Sequence, residues 1–207
     1  MLVQTGDNVG IGGFIITGNT PKYVIVRGIG PTLTRYNIAG VLADPMLELH
    51  GPGDFGTMIN NNWRDTQETE IQATGIPPTN DFEPAIVATL APGSYTAIVK
   101  GKNGGTGIGL VDAYDLDVAA DSTLGNLSTR GFVDTGDNAM IAGVTVGGGS
   151  SQILVRALGV ELIPFGGTDP LQDTVLEFLD KSGGVITNHG DWEDTQEAGS
   201  EGDGPGP

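Results

Sequence analysis

The chain has 207 residues, 26 acidic against 9 basic side chains, a formal charge of −17 and no cysteine. An apolar fraction of 38% excludes a disordered tail, while 35 glycines exclude a helical bundle. The charge is wrong for nucleic acid or an anionic membrane surface, no apolar run nears the roughly 18 residues of a membrane span, and missing thiols exclude a disulfide scaffold.

The pattern along the chain is one of short strands. Residues 12–17 and 22–27 are β-branched runs on either side of Gly18-Asn19-Thr20-Pro21, the signature of a hairpin. Residues 46–50 alternate apolar and polar, then turn at Gly51-Pro52-Gly53-Asp54. A single helix is predicted over 65–74, capped by Asp65 or Thr66 and stopped by Gly75 and Pro77-Pro78. Further strands are expected over 85–89, 95–100 and 107–114, separated by Gly-rich turns. Strands at this spacing predict an all-β chain, an antiparallel β-sandwich of jelly-roll or immunoglobulin-like outline.

The chain also repeats itself. Val3-Gln4-Thr5-Gly6-Asp7-Asn8 returns as Val133-Asp134-Thr135-Gly136-Asp137-Asn138, displaced by 130. Val24-Ile25-Val26-Arg27 returns as Ile153-Leu154-Val155-Arg156, and Trp63-Arg64-Asp65-Thr66-Gln67-Glu68 as Trp192-Glu193-Asp194-Thr195-Gln196-Glu197, displaced by 129. The expected organisation is two tandem copies: a first unit over 1–117 lacking its N-terminal strand, a junction over 118–127, and a second unit over 128–207 lacking its C-terminal strands. The start, Met1-Leu2-Val3-Gln4-Thr5-Gly6, lacks the basic and apolar regions of a signal peptide, which predicts a removed leader or a piece of a longer array.

The stretch 46–117 resembles the bacterial pre-peptidase C-terminal type of β-sandwich. It shares an apolar strand at Leu47-Glu48-Leu49, an Asn-rich stretch at Asn60-Asn61-Asn62, and Pro92-Gly93-Ser94-Tyr95-Thr96-Ala97-Ile98-Val99. The whole unit is similar to tandem repeats of large exported bacterial surface proteins. The resemblance implies an accessory or structural module, extracellular or on the cell surface, often associated with calcium.

A repeated unit supplies its own control for chemistry. His50 aligns with Leu179 and His189 with Asn60, so neither histidine belongs to a shared apparatus. A hydrolytic triad needs a positioned imidazole, and zinc needs more ligands than these, so no catalytic residue is assigned. Calcium, which takes about six to eight oxygen ligands, is the small ligand these loops would suit, with no cofactor required. Its candidate ligands are Asn60, Asn62 and Asp65, and Asn188, Asp191 and Asp194; the competing reading is Asx-turns closed on their own backbone. Arg27 and Arg156 recur inside apolar strands, and Glu48 and Glu177 are their expected partners, against the alternative that Arg27 faces solvent. Trp63 and Trp192 are expected to anchor the core or an edge.

The expected function is therefore non-enzymatic: a structural or adhesive repeat that joins copies of itself head to tail by strand pairing, as a homo-oligomer or filament. The second unit, without counterparts of the strands over 85–115, would either be disordered or borrow strands from a neighbour. The alternative is a calcium-dependent module binding surface glycans, or an accessory domain of a secreted enzyme.

Overall fold

The computed structural model describes residues 1–145, 152–165 and 169–190. They divide into two units, Met1–Gly143 and Val144–Pro207. The described residues are mostly antiparallel β-structure with little helix, so the chain is all-β.

In the first unit the strands are β1 (Leu2–Val3), β2 (Gly10–Gly18), β3 (Lys22–Ile29), β4 (Pro45–His50), β5 (Met58–Asn60), β6 (Ala85–Leu90), β7 (Gly93–Gly101), β8 (Gly107–Ile108), β9 (Leu110–Asp115) and β10 (Ser122–Arg130), with one helix, α1 (Glu68–Ala73). One sheet has the order β10-β2-β7-β4-β5, the other β6-β3-β9, and β1 pairs with β8 beside them. Alternation along each strand sends every second side chain inward. Thus Phe14 and Ile16, Leu47 and Leu49, and Tyr95, Ala97 and Val99 of the first sheet meet Val24, Val26, Ile86 and Leu90 of the second in one core. Tyr95 stacks on Phe14 at 5.6 Å between ring centroids and takes the edge of Phe55 at 5.5 Å.

The outer face of the second sheet is covered as well. Ile25, Ala85 and Val87 pack there under Trp63 and Ile71, the latter carried by α1. Strand β3 is therefore buried on both faces, which is why Val24, Ile25 and Val26 form an unbroken apolar run, each with no exposed surface. Burying each such side chain stabilises by roughly 1.5–3 kcal/mol. Glu83, fully buried, ties down the turn that follows β3: it accepts hydrogen bonds from the amides of Gly30 (3.0 Å) and Thr32 (2.7 Å) and from the Thr32 hydroxyl (2.7 Å).

Two expectations are corrected. Residues 12–17 and 22–27 do not form a hairpin: β2 pairs with β7 and β10, and β3 with β6 and β9. Gly18, at φ +105°, carries the chain from one sheet to the other, and a Cβ there would lie 2.4 Å from the Asp121 carbonyl oxygen. Crossing lets both apolar strands face the shared core, with two strand partners each. The second correction concerns residues 122–130, read as a junction and the start of a second unit. They form β10, which closes the first sheet along the whole of β2, with a bulge between Gly125 and Leu127.

In the second unit, β11 (Leu176–Leu179) pairs with β12 (Val185–His189). The register Leu176↔His189, Glu177↔Asn188 and Phe178↔Thr187 matches Leu47↔Asn60, Glu48↔Ile59 and Leu49↔Met58 at the displacement of 129. The 3-10 turn Val160–Phe165 likewise falls at the place of Pro31–Tyr36. Gly30 and Gly159 are required for the same reason: a Cβ on either would sit about 2 Å from the carbonyl oxygen of Leu42 or Leu171. The second turn meets the Gly159 amide with its own Glu161 carboxylate, at 3.1 Å. Residues 152–158, expected to repeat β3, take no regular structure.

If β10 belongs to the first unit, a chain ending at residue 143 should unfold cooperatively in urea at close to the midpoint of that unit in the whole chain. A chain ending at residue 121, with the β2 edge bared, should unfold at clearly lower urea.

Candidate functional site: the sheet edges and the repeated arginine

The loop carrying the repeated Trp63-x-Asp65-Thr66-Gln67 motif lies along the free side of β6. In the antiparallel register with β3, main-chain groups alternate in direction: those of Ile86 turn toward Val26, and those of Ala85 and Val87 turn away from β3.

The two outward residues find side-chain partners. The Gln67 amide donates to the Val87 carbonyl oxygen at 2.8 Å and accepts from the Val87 amide at 3.1 Å, as one residue of a neighbouring strand would. Asn60, almost fully buried, accepts from the Ala85 amide at 3.1 Å and donates to the Asn62 carbonyl oxygen and the Thr66 hydroxyl. Trp63 is buried, its amide donates to the Glu83 carbonyl oxygen at 3.0 Å, and Arg64 lies 4.0 Å above its ring while pairing with Asp81 and Glu68. The motif thus closes the β6 edge with amide side chains. Strand β5, next to β6, is only three residues long, and a short edge offers little to a partner.

On the opposite side β1 covers one end, where Met1 exchanges main-chain bonds with Gly109 and Leu2 bridges to Phe132. Among the described residues no strand pairs with the outer edges of β9 and β10, and β9 lies against β2. Register with β3 leaves the main-chain groups of Val111 and Ala113 turned outward. Leu110, Tyr114 and Leu127 are exposed along these strands.

Arg27 does not pair with Glu48. Its guanidinium forks onto Asp112, directly opposite on β9, at 2.9 and 2.6 Å, and donates to the Ile76 carbonyl oxygen at 2.8 Å and the Tyr114 hydroxyl at 3.2 Å. The physical reason is that β3 and β4 belong to different sheets, so Glu48 is never a cross-strand neighbour of Arg27. Glu48 instead pairs with Lys100 on β7 and faces His50 at 3.4 Å. The hydrogen bond from Lys100 holds the Glu48 carboxyl below its ordinary value, against the opposing effect of burial. The signal for the true partner was present: Asp112 is an acid in the middle of an apolar strand.

In the second unit Arg156 is exposed, and Glu177 accepts a hydrogen bond from Asn188 at 3.2 Å. Asp191, Trp192 and Asp194 lie outside the described residues. Around Trp63 two of the expected calcium ligands bond each other, Asn62 donating to Asp65 at 3.0 Å, and Asn62 accepts from Asn61 at 2.9 Å. Among the described residues no group of three or more histidine, aspartate or glutamate side chains stands close enough to hold a metal, and no helix is long and apolar enough to cross a membrane. The chain matches no family model, no curated protein and no solved structure.

Removing the edge closure with Gln67→Ala should cost about 1–3 kcal/mol in urea unfolding, because two main-chain groups lose their partners. EDTA should leave the melting temperature of a chain ending at residue 143 unchanged, since Asn60 Oδ1 and Asp65 Oδ2 are already engaged. Arg27→Met should cost about 2 kcal/mol by stranding the largely buried Asp112, with Glu48→Gln milder at neutral pH. The folded Glu48 carboxyl titrates lower than the unfolded one, so its contribution is full above the ordinary carboxylate value near 4.5 and fades as the pH falls through the lower folded value. Glu48→Gln should therefore lessen the loss of stability across that acid range.

Proposed function

We propose that the chain is a non-enzymatic repeat protein of tandem β-sandwich units, extracellular or on the cell surface, which joins copies of itself by strand pairing. One observation carries this. Val24, Ile25 and Val26 have no exposed surface between β6 and β9, whereas Ile153, Leu154 and Val155, which repeat them, are 45%, 73% and 42% exposed. No strand flanks them among the described residues of their unit.

An apolar sequence with no strand beside it among the described residues, its Ala157 carbonyl oxygen meeting only the Thr174 hydroxyl at 3.4 Å, and an unpaired sheet edge are the two halves of a strand-addition contact. Main-chain bonds supply the affinity and alternating side chains the register. Because the apolar run and the open edge are different surfaces, the contact is heterologous, and repeating it gives a head-to-tail chain of molecules. The paired turns at Gly6–Asn8 and Gly136–Asn138, and the matching β4/β5 and β11/β12 registers, support the tandem reading. The extracellular setting rests on the resemblance of the repeat to exported bacterial modules.

Sedimentation and negative-stain microscopy over a range of protein concentrations test the proposal. Mass should rise with concentration toward linear assemblies, and Leu154→Lys should return the protein to monomer. A monodisperse monomer at every concentration would overturn it.

A further inference from the structure

The repeat also points to where on a second copy the apolar run docks. In the first unit, Arg27 stands opposite Asp112, Ile25 opposite Tyr114, and Ile29 opposite Leu110. The displacement of 129 puts Arg156, Leu154 and Leu158 in the places of Arg27, Ile25 and Ile29. All three are exposed, as are Tyr114 and Leu110 on β9. We infer that residues 152–158 of one molecule add antiparallel to the outer edge of β9 in a second copy, with Arg156 opposite Asp112. This inference rests on the strand-pairing function proposed above and names its surface and register.

Three observations select β9. Beyond Gly109, whose main chain exchanges bonds with Met1, its edge has no strand partner among the described residues, whereas the β6 edge of the same sheet is occupied by Gln67 and Asn60. The outward main-chain groups of Val111 and Ala113 would exchange bonds with Ala157 and Val155, leaving Asp112 and Arg156 as a non-hydrogen-bonded pair, whose side chains approach more closely. Charge is complementary as well. Asp112 and Asp115 are already paired with Arg27 and Lys22, so the complementarity is that of an acidic chain of net charge −17 receiving a strand that brings a guanidinium. Asp112 already serves Arg27, and a carboxylate has about four acceptor sites, enough for a second donor from the other side. Two apolar cross-strand pairs, Leu154 with Tyr114 and Leu158 with Leu110, would flank the ion pair.

The absence of native cysteine makes cross-linking a direct test. Chains carrying Leu154→Cys are mixed with chains carrying Tyr114→Cys, and separately Leu158→Cys with Leu110→Cys, under mild oxidation. Disulfide-linked dimers should form in both in-register mixtures and stay scarce when Leu154→Cys is mixed with Thr89→Cys on the closed β6 side. Arg156→Glu should weaken association about tenfold and Arg156→Lys should restore part of it. Assembly that persists without these cross-links and ignores Arg156→Glu would overturn the β9 register while leaving strand pairing standing. Cross-links that form only within doubly substituted single chains would overturn a second copy as the occupant. A parent chain that never associates would overturn both readings.

Discussion

A strand at the edge of a sheet carries a row of main-chain donors and acceptors that must be bonded to something, and much of this protein is arranged around that requirement. On one side of the first unit the row is met from within. Gln67 bonds both polar groups of Val87, Asn60 takes the Ala85 amide, and Trp63 roofs the site with apolar surface. On the other side β9 and β10 have no strand beyond them among the described residues. An amide side chain can imitate a strand for one residue without offering a further edge, so closure by Gln67 stops growth there. An open strand does the opposite. The asymmetry gives any strand addition a preferred side.

The motif around Trp63 shows how polar density can serve the fold itself. Of the three consecutive asparagines, Asn60 and Asn62 use both their oxygen and their amide nitrogen on the loop and the neighbouring strand, whereas the Asn61 oxygen is buried without a partner. An amide is well suited to this work because it donates and accepts at once, matching the N–H and C=O of a strand edge. The repeated residues Trp63, Thr66 and Gln67 thus read as parts of a structural closure.

Arg27 illustrates a related constraint. A guanidinium on a strand buried on both faces requires a partner at the same height, and the antiparallel register supplies Asp112 there, with the Ile76 carbonyl oxygen and Tyr114 hydroxyl taking two of the remaining three donors. The same residue type at 156 sits exposed beside exposed leucines. A feature that is settled inside one unit is thereby left available in the other, and that difference underlies the functional reading.

Local chemistry was legible in the residues. Glycine and proline turns, alternation over 46–50, and the β-branched runs located most strands of the first unit to within a residue or two, because each signal acts over a few positions. The repeat was legible too, since it needs only comparison of the chain with itself. Partnerships were not. The β2 and β3 runs look like a hairpin, yet each pairs with strands distant in the chain, because burial of both apolar faces outweighs the short connection. Asp112 as the partner of Arg27, Gln67 as the neighbour of Val87, and β10 as the closing strand all depend on which sheet each strand joins. Side-chain period and turn chemistry are properties of neighbouring residues, so the sequence alone determines an all-β chain with its turns and its repetition. Sheet order and register arise from contacts across many tens of residues, where packing of the shared core selects among pairings that look equivalent locally, and only the tertiary structure decided them.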